Sequence, residues 1–395
     1  IRVEAPASTL LLDNVEITDA AFQAIHFGGN KTTYLDNPIL RNVSITGSNW
    51  MGVVYNYVRN PKIRWSKIAN SNLFSEFLFS PQSGAIKTAK TRHVNIYNSD
   101  FIKNNSHGLW FDQSSYDVTI ANSKIIDNAG AGVFFEISDQ LLMVNNYVRA
   151  PLNATTSLSP AVKLAGSSGL RLINNTIVGG SHALGILTDS RSRPGCADPR
   201  TASCIAENSD RDYTADRPAS IDWMPRLDVL LNNVIAFPTH AGYCDAPAAL
   251  CITTKAKLSK DTRNPWTVVP IESILHPANA SRGIPATLIA GNIYQVSGEA
   301  ATPTPIITKI QDTPAKHASL PAWQAYTQSA PIQLGLDLVG GSLFVTGDDP
   351  NLAPAKWVCD GNSTRLQGGA PVPVDPLINT YLAAGTTRYG CQISR

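Results

Sequence analysis

Residues 93–105 read HVNIYNSDFIKNN, residues 117–129 read DVTIANSKIIDNA, and residues 141–151 read LLMVNNYVRAP. Laid one under another, they place Asn98, Asn122 and Asn146 at steps of 24 and 24. The series extends outward to Asn14 and Asn42, 28 apart, and to Asn174, 28 beyond Asn146. Asn232 follows after 58 residues, which is two periods with an insertion. The segment KIRWSKIAN has the same pattern but puts Trp65 at the Asn position. A fixed period of this size marks a repeat architecture. Each period holds short runs of β-branched residues ended by Asn, Gly or Ser, which reads as strands and turns. Spacing of 3.6 is missing, which removes an α-solenoid, and leucines at fixed offsets are missing, which removes a leucine-rich repeat.

The fold class expected is therefore all-β, a right-handed parallel β-helix. Each coil supplies three short strands that pair with the next coil. Asn repeated in one register stacks its amides along the axis and tolerates the left-handed turn conformation. The regular coils run over about residues 8–190. The β-helix is expected over 1–299, with a polar Cys-containing insertion at 190–226. Residues 300–395, rich in Pro, Ala and Thr, are expected to form an irregular wrap or cap, with LPAWQAYTQ (320–328) as a short helix. Such a cap would cover an open solenoid end, which otherwise presents unpaired strand edges.

Composition narrows the function. Of 395 residues 16% are charged, against ~25% for an average soluble chain, and the net charge is +2. No field recruits nucleic acid, and no apolar run is long enough to insert into a membrane. The first residues carry no basic and apolar leader pattern. Six cysteines, Cys196, Cys204, Cys244, Cys251, Cys359 and Cys391, lie in irregular sequence with no metal-type spacing. They read as disulfides of a secreted or cell-surface protein, paired by proximity as 196–204, 244–251 and 359–391. No cofactor or metal motif is present in the sequence.

The repeat also locates chemistry. Ten residues before Asn98, Asn122 and Asn146 stand Thr88, Asp112 and Glu136, each four after a glycine in GAIKT, GLWFD and GVFFE. The same count in GILTD gives Asp189. Asp112 and Glu136 are thus expected on one sheet, in register, on coils ~4.8 Å apart. Like charges directly opposite destabilise a sheet, so the pair must share a proton, hold a cation or meet a polar ligand. Sharing a proton splits the two pKa values, as the acid and nucleophile of glycoside hydrolysis require. One coil of separation fits a retaining pair, and Asp189, about two coils from Glu136, fits an inverting one. Trp110, Phe111, Phe134 and Phe135 flank the acids; alternation packs one of each pair in the core and turns the other outward, and Trp110 and Phe134 are the candidates for substrate contact. His107, Lys87, Thr88 and Arg191 complete the candidate substrate-binding set. Lys87 is expected to face away from the acids unless a bulge intervenes.

The run from Gly84 to Ser138 resembles the core of bacterial right-handed β-helix proteins of the pectate-lyase-like superfamily. Its Gly-Leu-Trp-Phe-Asp coil, followed by a Glu-Ile-Ser coil, is similar to β-helix retaining glycoside hydrolases of the β-xylosidase type. The resemblance implies Asp112 as nucleophile and Glu136 as acid/base, with a polysaccharide or oligosaccharide as partner. TDSRSR (188–193) and LPAWQAYTQ resemble segments that follow these coils in related secreted proteins. Two other readings stand beside a hydrolase. One is a polysaccharide lyase or epimerase using the acids for a cation, with Lys87 or Arg191 as base. The other is a non-catalytic extracellular solenoid that self-assembles.

Overall fold

The computed structural model describes residues 1–7, 9–30, 32–77, 83–151, 159–188, 225–236, 243–254, 271–278, 285–296, 304–310, 313–335, 339–340 and 343–346. Three sheets run the length of the molecule, each taking one strand per coil. In the first coil these are Arg2–Glu4, Leu11–Asp13 and Glu16–Thr18, which open sheets one, two and three. Among the described residues, strands on successive coils pair parallel. The architecture is a parallel β-helix.

The core is a set of vertical stacks. In sheet one Ile86, Leu109, Val133, Val162, Leu184 and Leu250 share one inward column. Each is at most 1% exposed. Such columns pack aliphatic side chains coil upon coil and bury surface worth roughly 25 cal/mol per Å². The residue before each column member is small: Ala85, Gly108, Gly132, Ala161, Ala183 and Ala249. At Gly108 a Cβ would lie 2.5 Å from the Gly132 carbonyl and 2.8 Å from Ile125. The corner between sheets three and one therefore has no room for a branched side chain.

Two Asn ladders run side by side along the turn between sheets two and three. The outer one has the left-handed conformation at Asn14, Asn42, Trp65, Asn98, Asn122, Asn145, Asn174 and Asn232. Its amides bond coil to coil: Asn145 Nδ2 donates to Asn122 Oδ1, Asn174 Nδ2 to Asn145, and Asn232 Nδ2 to Asn174. Asn146, expected in this ladder, lies one place further on, because the coil before it is 23 residues long rather than 24. It starts the inner ladder instead. There Asn146 donates to Asn175, Asn175 to Asn233 and Asn233 to Asn292, each over 3.0 Å.

The sheets continue past residue 299, where composition had suggested the end of the solenoid. Ile306–Ile310 pairs parallel with Ala248–Thr253, and Val339–Gly340 and Leu343–Thr346 extend sheets two and three. Pro and Thr in the connections mask the short strands between them. Thr313–His317 then turns back antiparallel on sheet one. The helix Leu320–Gln328 follows, capped by Ser319, whose Oγ accepts from the Ala322 N–H. Its Trp323 is buried in the solenoid core. Cys244 and Cys251 are joined. The other four cysteines, the body of the 190–226 insertion and everything after 346 lie outside the described residues.

Candidate functional site

The site is the outward face of sheet one. Strand alternation sends Leu109 and Phe111 inward and Trp110 and Asp112 outward. In register, Lys87, Trp110, Phe134 and Lys163 form one outward column. Ala89 and Asp112 lie opposite each other in the next column, and Glu136 pairs with Ala165 there. Continuing the register of Phe111 with Phe135 by one residue sets Asp112 beside Glu136.

Two sequence expectations shift here. Thr88 is one residue short of the acid column. It points into the core, fully buried, with its hydroxyl 2.8 Å from Ser115 Oγ. Lys87 consequently shares the outward face with the acids. The cause lies in the turn between sheets one and two. Ala89 to Arg92 and Glu136 to Asp139 span three steps, whereas Asp112 to Tyr116 spans four, and Arg92, Tyr116 and Asp139 are in register. Counting back from the Asn ladder therefore misplaces the Gly84–Ala89 strand by one. For Glu136 the count survives because the ladder position was also one too far.

The extra residue is accommodated by left-handed conformations at Gln113 and Ser114. Asp112 Oδ1 accepts the Gln113 N–H over 2.7 Å, and the fully buried Arg92 guanidinium donates to the Ser114 carbonyl over 2.5 Å. Arg92 was not a sequence candidate. A lone arginine at a strand start looks like surface, and only the coil stack shows that it lies underneath the acid's turn.

Lys87 Nζ lies 3.3 Å from Asp112 Oδ2 and 3.4 Å from the centre of the Trp110 ring. Burial holds this lysine below its ordinary range, while Asp112 and then Glu136 pull it back up. Trp110 Nε1 donates to Glu136 Oε2 over 3.1 Å and so orients the second carboxyl. Asp112 is buried and Glu136 half-buried.

Trp110 and Phe134 stack at 5.4 Å, with 15° between their planes. They face outward from the solenoid yet are only 1% and 2% exposed. They form a small second core with Ala131, Ala165, Leu187 and the disulfide. They are thus a floor beneath the acids, and an open stacking surface is not available on them. Phe111 and Phe135 pack in the main core, as alternation requires. His107 is wedged against both floor rings, 5.1 Å from each. Its Nδ1 accepts the Ala131 N–H, which puts the ring proton on Nε2. Burial, with Lys163 and Lys87 nearby, pushes its pKa down to about 3, so it is neutral. Lys163 Nζ lies 4.3 Å from the centre of the Phe134 ring and 5.4 Å from that of Tyr243. Lys163 and Tyr243 were not sequence candidates either. Asp189 and Arg191 lie outside the described residues.

Among the described residues, His182, Cys244 and Cys251 are the grouped side chains of metal-ligating type. Both sulfurs are committed to the disulfide, and the Cys244 N–H donates to His182 Nε2. At the acid pair the positive charge comes from Lys87.

The family described as "Right handed beta helix region" matches residues 3–177. The chain is a right-handed parallel β-helix. No curated protein matches it. Two solved structures are similar over part of their length. One is ORF18 of Geobacillus virus E2, at 8% identity and a TM-score of 0.33, over 47% of this chain and 44% of that one. The other is the Dettilon tailspike protein gp208, at 12% identity and a TM-score of 0.27, over 64% of this chain and 54% of that one. The matched part of this β-helix thus corresponds to about half the length of each.

Proposed function

We propose that the outward face of sheet one takes a carbohydrate and that Asp112 and Glu136 hydrolyse a glycosidic bond. One observation carries the reading: two carboxyls stand on adjacent coils, one ion-paired to Lys87 and the other oriented by the Trp110 indole. The two environments differ, as an acid and a nucleophile need. A separation of one coil, ~4.8 Å between strands, is close to the ~5–5.5 Å of retaining enzymes.

In this reading Asp112 attacks the anomeric carbon as the glycosidic C–O bond breaks. Glu136 gives its proton to the departing oxygen. Glu136 then takes a proton from water, the water oxygen attacks the same carbon, and Asp112 leaves. Lys87 pairs with the Asp112 carboxyl and holds it in place. An extracellular location belongs to the proposal, supported by the Cys244–Cys251 disulfide.

The position of Lys87 supports a second reading, a polyuronate lyase. Its ammonium, below the ordinary lysine range, faces the same site as the acids. A neutral Lys87 would take the proton next to a uronate carboxyl, and the bond to the leaving oxygen would break by elimination.

Soluble glucan, xylan and polygalacturonate separate the two. Hydrolysis gives new reducing ends without ultraviolet absorbance, is lost in Asp112→Asn and Glu136→Gln, and initially yields the retained anomer. Elimination gives an absorbing unsaturated uronate and is lost in Lys87→Met. Full turnover in Asp112→Asn and Glu136→Gln overturns the hydrolase.

A further inference from the structure

Three aromatic side chains meet on the surface where sheet three turns into sheet one, in the coils before the acid pair. Phe22 lies 4.5 Å from Trp50, Trp50 is stacked 5.0 Å from Phe77, and Phe22 meets Phe77 edge-on at 6.0 Å. Phe22 is 54% exposed. Trp50 and Phe77 are half-buried, so the exposed Phe22 extends a partly exposed aromatic patch, the kind of surface that takes a ligand.

Its rim is polar and close. Asn49 Nδ2 donates to Glu76 Oε2 over 2.9 Å, and both side chains come from the loops that carry Trp50 and Phe77. Ring faces beside an amide and a carboxylate suit a molecule with one apolar face and hydroxyls around its edge. A pyranose ring has this form: its C–H groups lie on an aromatic face, and its hydroxyls bond the planar polar groups. Glu76 puts a carboxylate at this rim, which disfavours an acidic polymer there.

The placement ties the cluster to the candidate site. The Trp50 N–H bonds the Phe22 carbonyl on the preceding coil, and register carries this column onward to Ser83 and Ser106. Ser106 directly precedes the strand His107–Asp112. Trp50 therefore lies about two coils, roughly 10 Å, along the axis and about six residues, roughly 20 Å, along the strand from Asp112. That span is the length of an oligosaccharide of several residues. We infer that Phe22, Trp50 and Phe77 form a distal subsite that holds a neutral glycan chain whose other part reaches the Asp112–Glu136 pair. The inference rests on the carbohydrate reading of that pair, and the experiment keeps the two apart.

Binding of soluble xylan and mixed-linkage β-glucan is measured by isothermal titration calorimetry in the Glu136→Gln background, so that no substrate is consumed. Phe22→Ala and Trp50→Ala are expected to weaken binding at least tenfold, and Trp50→Phe, which keeps a ring, to weaken it by less. Because Phe22 is exposed, Phe22→Ala tests the subsite even if Trp50→Ala destabilises its coil. Unchanged affinity in Phe22→Ala overturns the subsite even where hydrolysis by the wild type is found. Glycan binding that depends on Trp50, in a protein that cleaves nothing, supports the subsite and refutes only the catalytic reading. A concentration-dependent dimer in sedimentation that Phe22→Ala dissolves would assign the surface to a second copy of the chain and overturn the glycan.

Discussion

Lys87 Nζ and Asp112 Oδ2 stand 3.3 Å apart on neighbouring strands of one sheet face, with the ammonium held over the Trp110 ring. The pair is largely shielded from water, so its attraction is stronger than that of a surface ion pair. The Lys87 ammonium on Oδ2 and the Gln113 N–H on Oδ1 together give both oxygens of this buried carboxyl a partner. Lys87→Met is expected to lower kcat by about a hundredfold, the scale of losing one preorganised electrostatic partner. Lys87→Arg, which keeps the charge, should lose less. Steady-state kinetics on the glycan that the wild type cleaves, with melting curves of both variants, check this.

The turn that carries Asp112 depends on Arg92. Its guanidinium is fully buried and donates to the Ser114 carbonyl beneath the extra residue of that turn. Arg92→Met keeps most of the apolar volume and removes the donor. It is expected to destabilise the protein by about 2–4 kcal/mol, the scale for stranding a buried partner of a charged group. With the turn loosened, kcat should fall while KM changes little, because Arg92 acts through Asp112 and not on the glycan. Urea denaturation gives the first number and kinetics below the transition give the second.

The two Asn ladders should answer mutation differently. Asn175 is fully buried, donates to Met143, Ile173 and Asn233, and accepts from the Asn146 backbone and side chain. Asn175→Ala strands several of these groups at once and is expected to cost about 3 kcal/mol or more. Asn122 lies in the outer ladder at φ 51°, where it accepts from Asn145 Nδ2. Asn122→Gly loses that bond but adopts the left-handed turn without strain, so its cost should stay near 1 kcal/mol. Chemical denaturation of both variants in parallel decides it.

These ladders also explain how far the sequence could be read. A repeat of Asn, β-branched residues and small residues specifies coils, because stacking works only if like residues meet like. Fold class was therefore legible from Asn98, Asn122 and their neighbours. Register was legible only to within one residue, since turns absorb insertions such as Gln113 without any change in the surrounding pattern. A shift of one reverses the face of every side chain on a strand, which is why Lys87 and Thr88 exchanged places. The acids themselves were found because glycines four residues earlier mark the same corner. Lys163, Tyr243 and Arg92 gave no such signal. Their roles depend on which coil they meet, and that is a property of the stack. Alternation alone says that one ring of each aromatic pair faces outward, but the cover over Trp110 and Phe134 comes from the Cys244–Cys251 segment, far along the chain.

His107 offers a pH test of that floor. Its pKa is about 3 in the folded protein, below the ordinary 6.5, because burial penalises the imidazolium. Between those values the unfolded chain carries a proton that the folded chain does not. Stability from this group is therefore complete above pH 6.5 and is lost as pH falls toward 3, at up to about 1.4 kcal/mol per pH unit. His107→Gln keeps an acceptor for the Ala131 N–H but does not titrate. Its melting temperature is expected to be lower than that of the wild type at pH 7, where packing against Trp110 and Phe134 is lost. Between pH 6.5 and 4 its melting temperature should fall less steeply, with the two stability curves converging by about 3 kcal/mol. Other buried histidines, such as His317, titrate in both proteins and cancel in the difference. Parallel melting curves across this pH range test it, and parallel slopes would show that His107 is not buried as a neutral ring.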